Sequence, residues 1–372
     1  MTTPHIAIDG RGALLYRGTG IGTYTWQLLA HLPQNLPRPE VFLPGQEYTG
    51  FRFDPEDIYS RGEQKDIWRR EFLPRAIKEK QIQLYHVPQN GIGLPEKKCC
   101  KETVTIHDLI PYLFPETVGR GYLKEFLKEM PKIMERSDAV ITVSECSKKD
   151  IQRLFHYPED RIHVIHEAPE PIYRPLPKDT VKTFLKEHYG ICEDYILYVG
   201  GFGLRKNVKA LINAYYLLKK EENIPYALVL PGKRNHDFDA LDSLTEALQI
   251  SDSVIFTDKV PTADLPYFYN GAAVMVYPSL YEGFGLPPLE AMACGTPVIA
   301  AKTSSLPEVL ADNVLWFDPF DSTALASQLY ALLTKKELRQ LLGAKGQKRT
   351  AQFQWKKTAA QTEKIFLSCL AE

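Results

Sequence analysis

A chain of 372 residues is long for one hydrophobic core and comfortable for two domains. Its 44% hydrophobic and 24% charged content is ordinary for a soluble globular protein, and 45 basic against 46 acidic residues give no global argument for nucleic-acid binding. Cys99, Cys100, Cys146, Cys192, Cys294 and Cys369 show no CxxC or Cys/His ligand spacing, so neither a zinc site nor a disulfide framework is suggested, which fits a reducing cytoplasm.

In chain order, MTTPHIAIDG lacks a charged region followed by a long apolar run, and no later segment approaches the length of a membrane span, so a cytoplasmic protein is expected. Apolar, strand-like runs then alternate with helical patterns: HIAID (5–9), LYHV (84–87), TVTI (103–106) and AVITV (139–143). Between the halves, EAPEPIYRPLPKDT (167–180) carries four prolines, breaks both periodicities and reads as a linker. The second half repeats the theme with YILYV (195–199), YALVL (226–230), VIF (254–256), VMVY (274–277), PVIA (297–300) and VLWF (314–317). Such alternation implies α/β architecture: parallel sheets covered by helices on both faces, in two doubly wound domains. Ligands of such sheets bind beyond the carboxyl ends of the strands, which points to a cleft between the domains.

Several residues stand where that rule looks for function. RGTGIGTYTW places Gly18, Gly20 and Gly22 late after the first strand, in a GxGxG pattern that differs from a nicotinamide-binding fingerprint and also suits a plain flexible turn. His107 follows TVTI at a carboxyl end, where the residues alone favour a helix cap with an incidental histidine over a site. Arg205 and Lys206 follow YILYV and a run of glycines, before a helix; paired cations there suit a diphosphate, with solvated surface charge as the bland reading. In YEGFGLPPLEAMACGTPVI (281–299), the glycines allow unusual backbone angles, and Pro287 and Pro288 suit a first helical turn. Glu282 then lies in the loop and Glu290 near the helix start. They are two acceptors for hydroxyl groups on either side of a phosphate-attracting helix end, or a turn with a capping glutamate.

The stretch SLYEGFGLPPLEAMACGTPVIAAKTSSLPEV (279–309) resembles the signature of retaining glycosyltransferases of family four, and further segments match in the order that family shows. They are IDGRGALLYRGTGIGTYTWQLL (8–29), TIHDLIPYLFPE (105–116), ITVSECSKKDI (141–151), LYVGGFGLRKNVKALINAY (197–215), LVLPGK (228–233) and FQWKKTAAQTEKIF (353–366). The resemblance implies the GT-B fold. An acceptor-binding Rossmann-like domain would span 1–170, a nucleotide-sugar-binding one 175–352, and residues 353–372 would form a helix crossing back to the first. It implies that His107 faces the transferred sugar, that Arg205 and Lys206 stabilise the departing diphosphate, that Glu282 meets hexose hydroxyls and that Glu290 holds the ribose. Gly20, Gly22 and Gly201 would border the donor, Phe284, Gly285 and Leu286 would offer backbone N–H groups to sugar and phosphate oxygens, and Val260 would border the base. No DxD-type metal motif is found, and the resemblance implies neither metal nor cofactor, the nucleotide sugar being the substrate. An arginine that many members carry just after the strand's glycine is replaced here by Gly201 or Phe202.

Within the family the chain is most similar to bacterial mannosyltransferases of surface-polysaccharide assembly, which implies GDP-mannose as donor and a glycan or lipid-linked glycan as acceptor. A UDP-sugar donor is the alternative. A sugar phosphorylase or epimerase on the same plan, or a non-catalytic sugar-binding module, are rivals of other classes. The mixed-charge segments 65–81 and 122–137 read either as helices packed on the sheet or as a contact with the inner face of the membrane.

Overall fold

Apolar runs short enough to be strands, and buried on both faces, assemble into parallel sheets; the chain forms two. The computed structural model describes residues 4–16, 18–32, 39–44, 47–48, 51–52, 62–222, 224–234 and 237–371. They divide into two compact units, Met1–Glu167 with Gln354–Glu372, and Ala168–Phe353.

In the first unit, β1 (Ile6–Asp9) and β2 (Glu40–Phe42) precede a small antiparallel pair, β3 (Glu47–Tyr48) and β4 (Phe51–Arg52). Then follow β5 (Leu84–Val87), β6 (Lys101–Ile106), β7 (Ala139–Thr142) and β8 (Ile162–Val164). The main sheet runs β2-β1-β5-β6-β7-β8, all parallel, with Ala7 opposite Glu40 on one side and Tyr85 on the other. Its order reverses between β1 and β5. One face is covered by Trp68, Phe72, Leu73 and Ile77 from residues 65–81 and by Phe126, Met130 and Ile133 from the helix Arg120–Arg136. Both mixed-charge segments thus pack on the sheet, and their charged sides line a polar cavity of about 120 Å³ between them. The other face, with Ile6, Ile8, Leu84 and Ile141, is covered by Phe366 and Cys369 of the closing helix Trp355–Ala371, and the Thr358 hydroxyl of that helix donates to the His166 carbonyl at 2.7 Å.

The second unit contains β9 (Tyr195–Leu197), β10 (Ala227–Leu230), β11 (Val254–Phe256), β12 (Val274–Tyr277), β13 (Val298–Ala301) and β14 (Leu315–Phe317). Its sheet is again wholly parallel, in the order β11-β10-β9-β12-β13-β14. Helices Val208–Glu222 and Ser322–Thr334 bury Leu211, Tyr215, Leu325 and Leu329 in the core shared with Ile196, Leu228 and Val276. The first strand of this unit, β9, lies beside its fourth, β12, so the loops leaving their carboxyl ends turn away from each other and open a crevice.

Each apolar run named in the sequence is a strand, trimmed by one or two residues, shifted by one or, for TVTI, extended by two at some ends. Alternation missed β2 and β8, three residues each and only partly buried. The proline-rich segment is irregular only as far as Pro177, where the helix Lys178–Tyr189 begins, and it buries Tyr173. Among the described residues no helix is long and apolar enough to cross a membrane.

Candidate active site

The crevice of the second unit is built from the loops after β9 and β12. After β9 the chain makes a 3-10 turn, Leu204–Lys206, and ends it at Asn207, which adopts φ +54°. This strained residue fastens one loop to the next: its side-chain amide donates to the Pro278 carbonyl at 3.2 Å and to the Pro319 carbonyl at 2.8 Å. The Leu280 N–H donates to the Arg205 carbonyl at 2.8 Å, so the two cations are held against the segment that carries Glu282.

There the side chains converge. Lys206 Nζ donates to Glu282 Oε1 at 2.6 Å and to the Tyr277 hydroxyl at 3.1 Å, and Arg205 Nη1 lies 3.0 Å from the same carboxylate oxygen. Arg205 also donates to the Tyr281 carbonyl. Glu282 is 8% exposed; burial alone would push its pKa up, but Lys206 and Arg205 outweigh that and pull it down to about 2. Two cations on one carboxylate form a compact charge cluster with an excess of one positive charge, at the place in the sheet where ligands bind.

A second layer holds the Glu282 backbone. Its N–H donates to Ser304 Oγ at 2.8 Å, while Ser305 Oγ donates to the carbonyls of Glu282 and Phe284, both at 2.9 Å. Thr303 Oγ1 donates to the Ser279 carbonyl at 2.8 Å. Asn207, Thr303, Ser304 and Ser305 were not singled out in the sequence. The only signal was a hydroxyl-rich run just past the carboxyl end of β13.

Gly285, at φ +106°, turns the chain into the helix Leu286–Ala293; a Cβ there would lie 2.7 Å from Leu306 Cδ2, so glycine is required twice over. Pro287 and Pro288 have no N–H, which leaves few donors at this helix start. Among the described residues the Gly285 and Leu286 N–H groups meet no protein acceptor. Phe284 is buried, its ring edge-on to Phe353 at 5.9 Å.

Glu290 shares no partner with Glu282. It is half-buried, accepts from the Tyr269 hydroxyl at 2.6 Å and is within hydrogen-bonding reach of Tyr173. Burial raises its pKa to about 7, with Glu170 adding to the rise and the two tyrosines opposing it. Gly201 is exposed, with open space where a Cβ would point, whereas Phe202 is buried against Phe238 and Phe256. The position of the missing arginine is therefore split between a solvent-facing glycine and a core aromatic. Val260 is buried past the end of β11.

In the first unit, Gly20 and Gly22 are not a loop but the first and third residues of the helix Gly20–His31. The Thr19 hydroxyl caps that helix by accepting from the Gly22 N–H at 3.2 Å. His107 stands at the carboxyl end of β6, 5% exposed, with Nδ1 3.0 Å from Glu167 Oε1 and Nε2 2.9 Å from the Pro88 carbonyl. Glu167 is the neighbour of His107 that sequence reading passed over, because sixty positions separate the two.

Comparison with known proteins matches residues 18–168 to Glycosyltransferase Family 4 and residues 183–349 to Glycosyl transferases group 1. The chain is 34% identical over 287 residues to O-antigen chain mannosyltransferase B of Escherichia coli, covering 77% of this chain and 74% of that one. It is 32% identical over 279 residues to the serotype-specific mannosyltransferase WbdA of the same species; that stretch is 74% of this chain but only 34% of WbdA. Among solved structures, a sucrose-phosphate synthase from Thermosynechococcus elongatus superposes with a TM-score of 0.74 at 21% identity, covering 99% of both chains. WaaG, a glycosyltransferase of lipopolysaccharide biosynthesis, superposes at 0.69 and 15% identity, over 96% of this chain and 98% of that one.

Proposed function

We propose a donor, a stereochemical course and a surface of action for a chain that belongs to the group 1 and family 4 glycosyltransferases. It is a hexose-transferring glycosyltransferase of GT-B fold, similar to the mannosyltransferases that build O-antigen polysaccharide. The donor is GDP-mannose, a reading supported by the activity for which those relatives are named. The observation that carries the reaction is the meeting of Arg205 and Lys206 on Glu282 at the reversal point of the second sheet.

In this reading the diphosphate of the donor draws Arg205 and Lys206 to its own oxygens. Glu282, released from them, accepts from hydroxyls of the hexose, and Glu290 accepts from the ribose. The acceptor hydroxyl attacks the anomeric carbon on the face from which the phosphate departs. One carbon–oxygen bond forms to the acceptor and one breaks to the phosphate, and the acceptor's proton passes to the departing phosphate oxygen, so configuration is retained. Arg205 and Lys206 stabilise the charge that grows there, as fixed cations do in phosphate-leaving reactions. The charge is met without a metal ion.

The acceptor is a glycan or lipid-linked glycan, reached from the membrane surface. Arg120, Lys124, Lys128 and Lys132 follow one another at four-residue spacing along the exposed side of the helix Arg120–Arg136, beside the exposed Tyr122 and Leu127. Such a row suits anionic headgroups.

Turnover of GDP-mannose and of UDP-glucose, with and without EDTA, tests the reading, the released sugar's anomeric configuration being read by NMR. Turnover of GDP-mannose unaffected by EDTA, with the α-anomer released first, is expected. Turnover of the UDP sugar alone overturns the donor, inversion overturns the mechanism, and a strict requirement for Mg²⁺ or Mn²⁺ overturns the role given to the two cations.

A further inference from the structure

With Glu167 ionised, the contacts of the His107 ring leave it one protonation state. A peptide carbonyl only accepts, so the contact of Nε2 with Pro88 requires a proton on Nε2. An ionised carboxylate also only accepts, so the contact of Nδ1 with Glu167 requires one on Nδ1. An imidazole with both protons is a cation. The residue is also held on other sides: its N–H donates to Asn90 Oδ1 at 2.8 Å, its carbonyl accepts from Ser147 Oγ at 3.0 Å, and Tyr24 meets the ring edge-on at 4.8 Å.

We propose that Glu167 is a positioning residue for hexosyl transfer: with the Pro88 carbonyl, it locks His107 as a permanent imidazolium at the carboxyl end of β6. His107 then has no lone pair with which to take a proton from an acceptor hydroxyl and no free N–H with which to bind one. With the Glu167 carboxylate at 3.0 Å the pair is neutral as a whole, and what it gives the site is a dipole whose positive end is fixed at the ring. This deepens the transfer mechanism proposed above and rests on it, since a histidine that cannot act as a base leaves the departing phosphate oxygen to take the proton.

The other groups around the ring fit. Burial opposes the charge, but the hydrogen bond and charge of Glu167, then the Pro88 carbonyl and Asp108, outweigh it and raise the pKa of His107. Tyr24 is held protonated by burial, and the nearby His86, buried and held neutral with its pKa lowered to about 3, adds no competing charge.

Two measurements on the full chain test this. In ¹⁵N-histidine-labelled protein, His107, assigned by its loss in His107→Gln, is expected to show two protonated ring nitrogens that do not titrate up to about pH 8. In the nearly isosteric Glu167→Gln it is expected to be neutral there. A neutral His107 in the unaltered protein at about pH 7 overturns the proposal whatever the activity. For turnover of GDP-mannose, Glu167→Gln is expected to lose at least tenfold at about pH 8 and to regain activity as the pH falls and its imidazole recharges, relative to the unaltered protein at each pH. A purely structural role would lower activity equally at every pH, so a variant profile parallel to that of the unaltered protein overturns the proposal. If no nucleotide sugar is turned over at all, the proposed reaction fails, while the spectra still decide the state of His107.

Discussion

Glu282 stands to Arg205 and Lys206 as a bound anion would, and this decides what its removal does. In Glu282→Ala the two cations lose the carboxylate they share, so free GDP should bind more tightly than to the unaltered protein, by about 1–2 kcal/mol, while transfer drops by orders of magnitude. Calorimetry with GDP alongside turnover checks this, and weaker GDP binding would show that Glu282 supports the nucleotide rather than competing with it. Glu290 gives a pH signature. Its pKa in the folded chain, about 7, lies above the ordinary 4.5, so the folded form holds the proton more firmly. The stability it contributes is complete below about pH 4.5 and is lost as the pH rises through about 7. Glu290→Gln should therefore gain stability relative to the unaltered chain between about pH 5 and 8, by about 2 kcal/mol, read from urea midpoints at the two ends. Glu290 lies apart on Tyr269, whereas Arg205, Lys206 and Glu282 come together in the fold; these three were legible in the sequence as candidates because the chemistry of phosphate and hydroxyl recognition names residue types. Ser304, Ser305, Asn207 and Glu167 were not, because each acts through a partner that only the folded backbone brings near.

Among the elements, the legible ones were those whose composition leaves one choice. VMVY and ALVL are buried at every position and read as central strands. EVF and IHV carry a polar residue in three and lie at the two edges of the first sheet, where tertiary pairing alone makes them strands. The glycines before Thr23 looked like a loop, yet the Thr19 cap starts the helix at Gly20. The closing helix is the element whose packing yields the plainest test. Phe366 is fully buried against the face formed by Ile8, Leu84 and Ile141 and lies 5.0 Å from the ring of His86. Phe366→Ala should cost about 3–5 kcal/mol in urea unfolding of the first unit. A loss below about 1 kcal/mol would mean that the helix covers the sheet without anchoring it.

For the whole molecule, alternation along the chain disclosed two parallel sheets but not their strand order, because order is set by which crossover turns which way, and no residue reports that. The order matters, since it places the loops of β9 and β12 at the reversal point. Charge was equally hidden at this scale: a balanced total conceals the row Arg120, Lys124, Lys128 and Lys132. Lys124→Glu with Lys128→Glu should abolish cosedimentation with phosphatidylglycerol vesicles, a change of at least about 2 kcal/mol, while leaving turnover of GDP-mannose in solution intact. Binding of the unaltered protein that is indifferent to salt would contradict an electrostatic contact.

The first unit is discontinuous in sequence, and this has a consequence for its birth. On a ribosome adding about 5–20 residues per second, residues up to Glu167 emerge some 10–40 s before the helix that completes their core. Until then Ile6, Ile8, Leu84 and Ile141 have on that face only the partial cover of Leu29 and Leu32 and lack Phe366 and Cys369. The second unit, contiguous from Ala168 to Phe353, suffers no such wait and can be finished first, although it is encoded later. Nascent chains arrested after Phe353 should accordingly yield a protease-resistant second unit and a readily digested first one, reversing the usual order in which domains mature during synthesis.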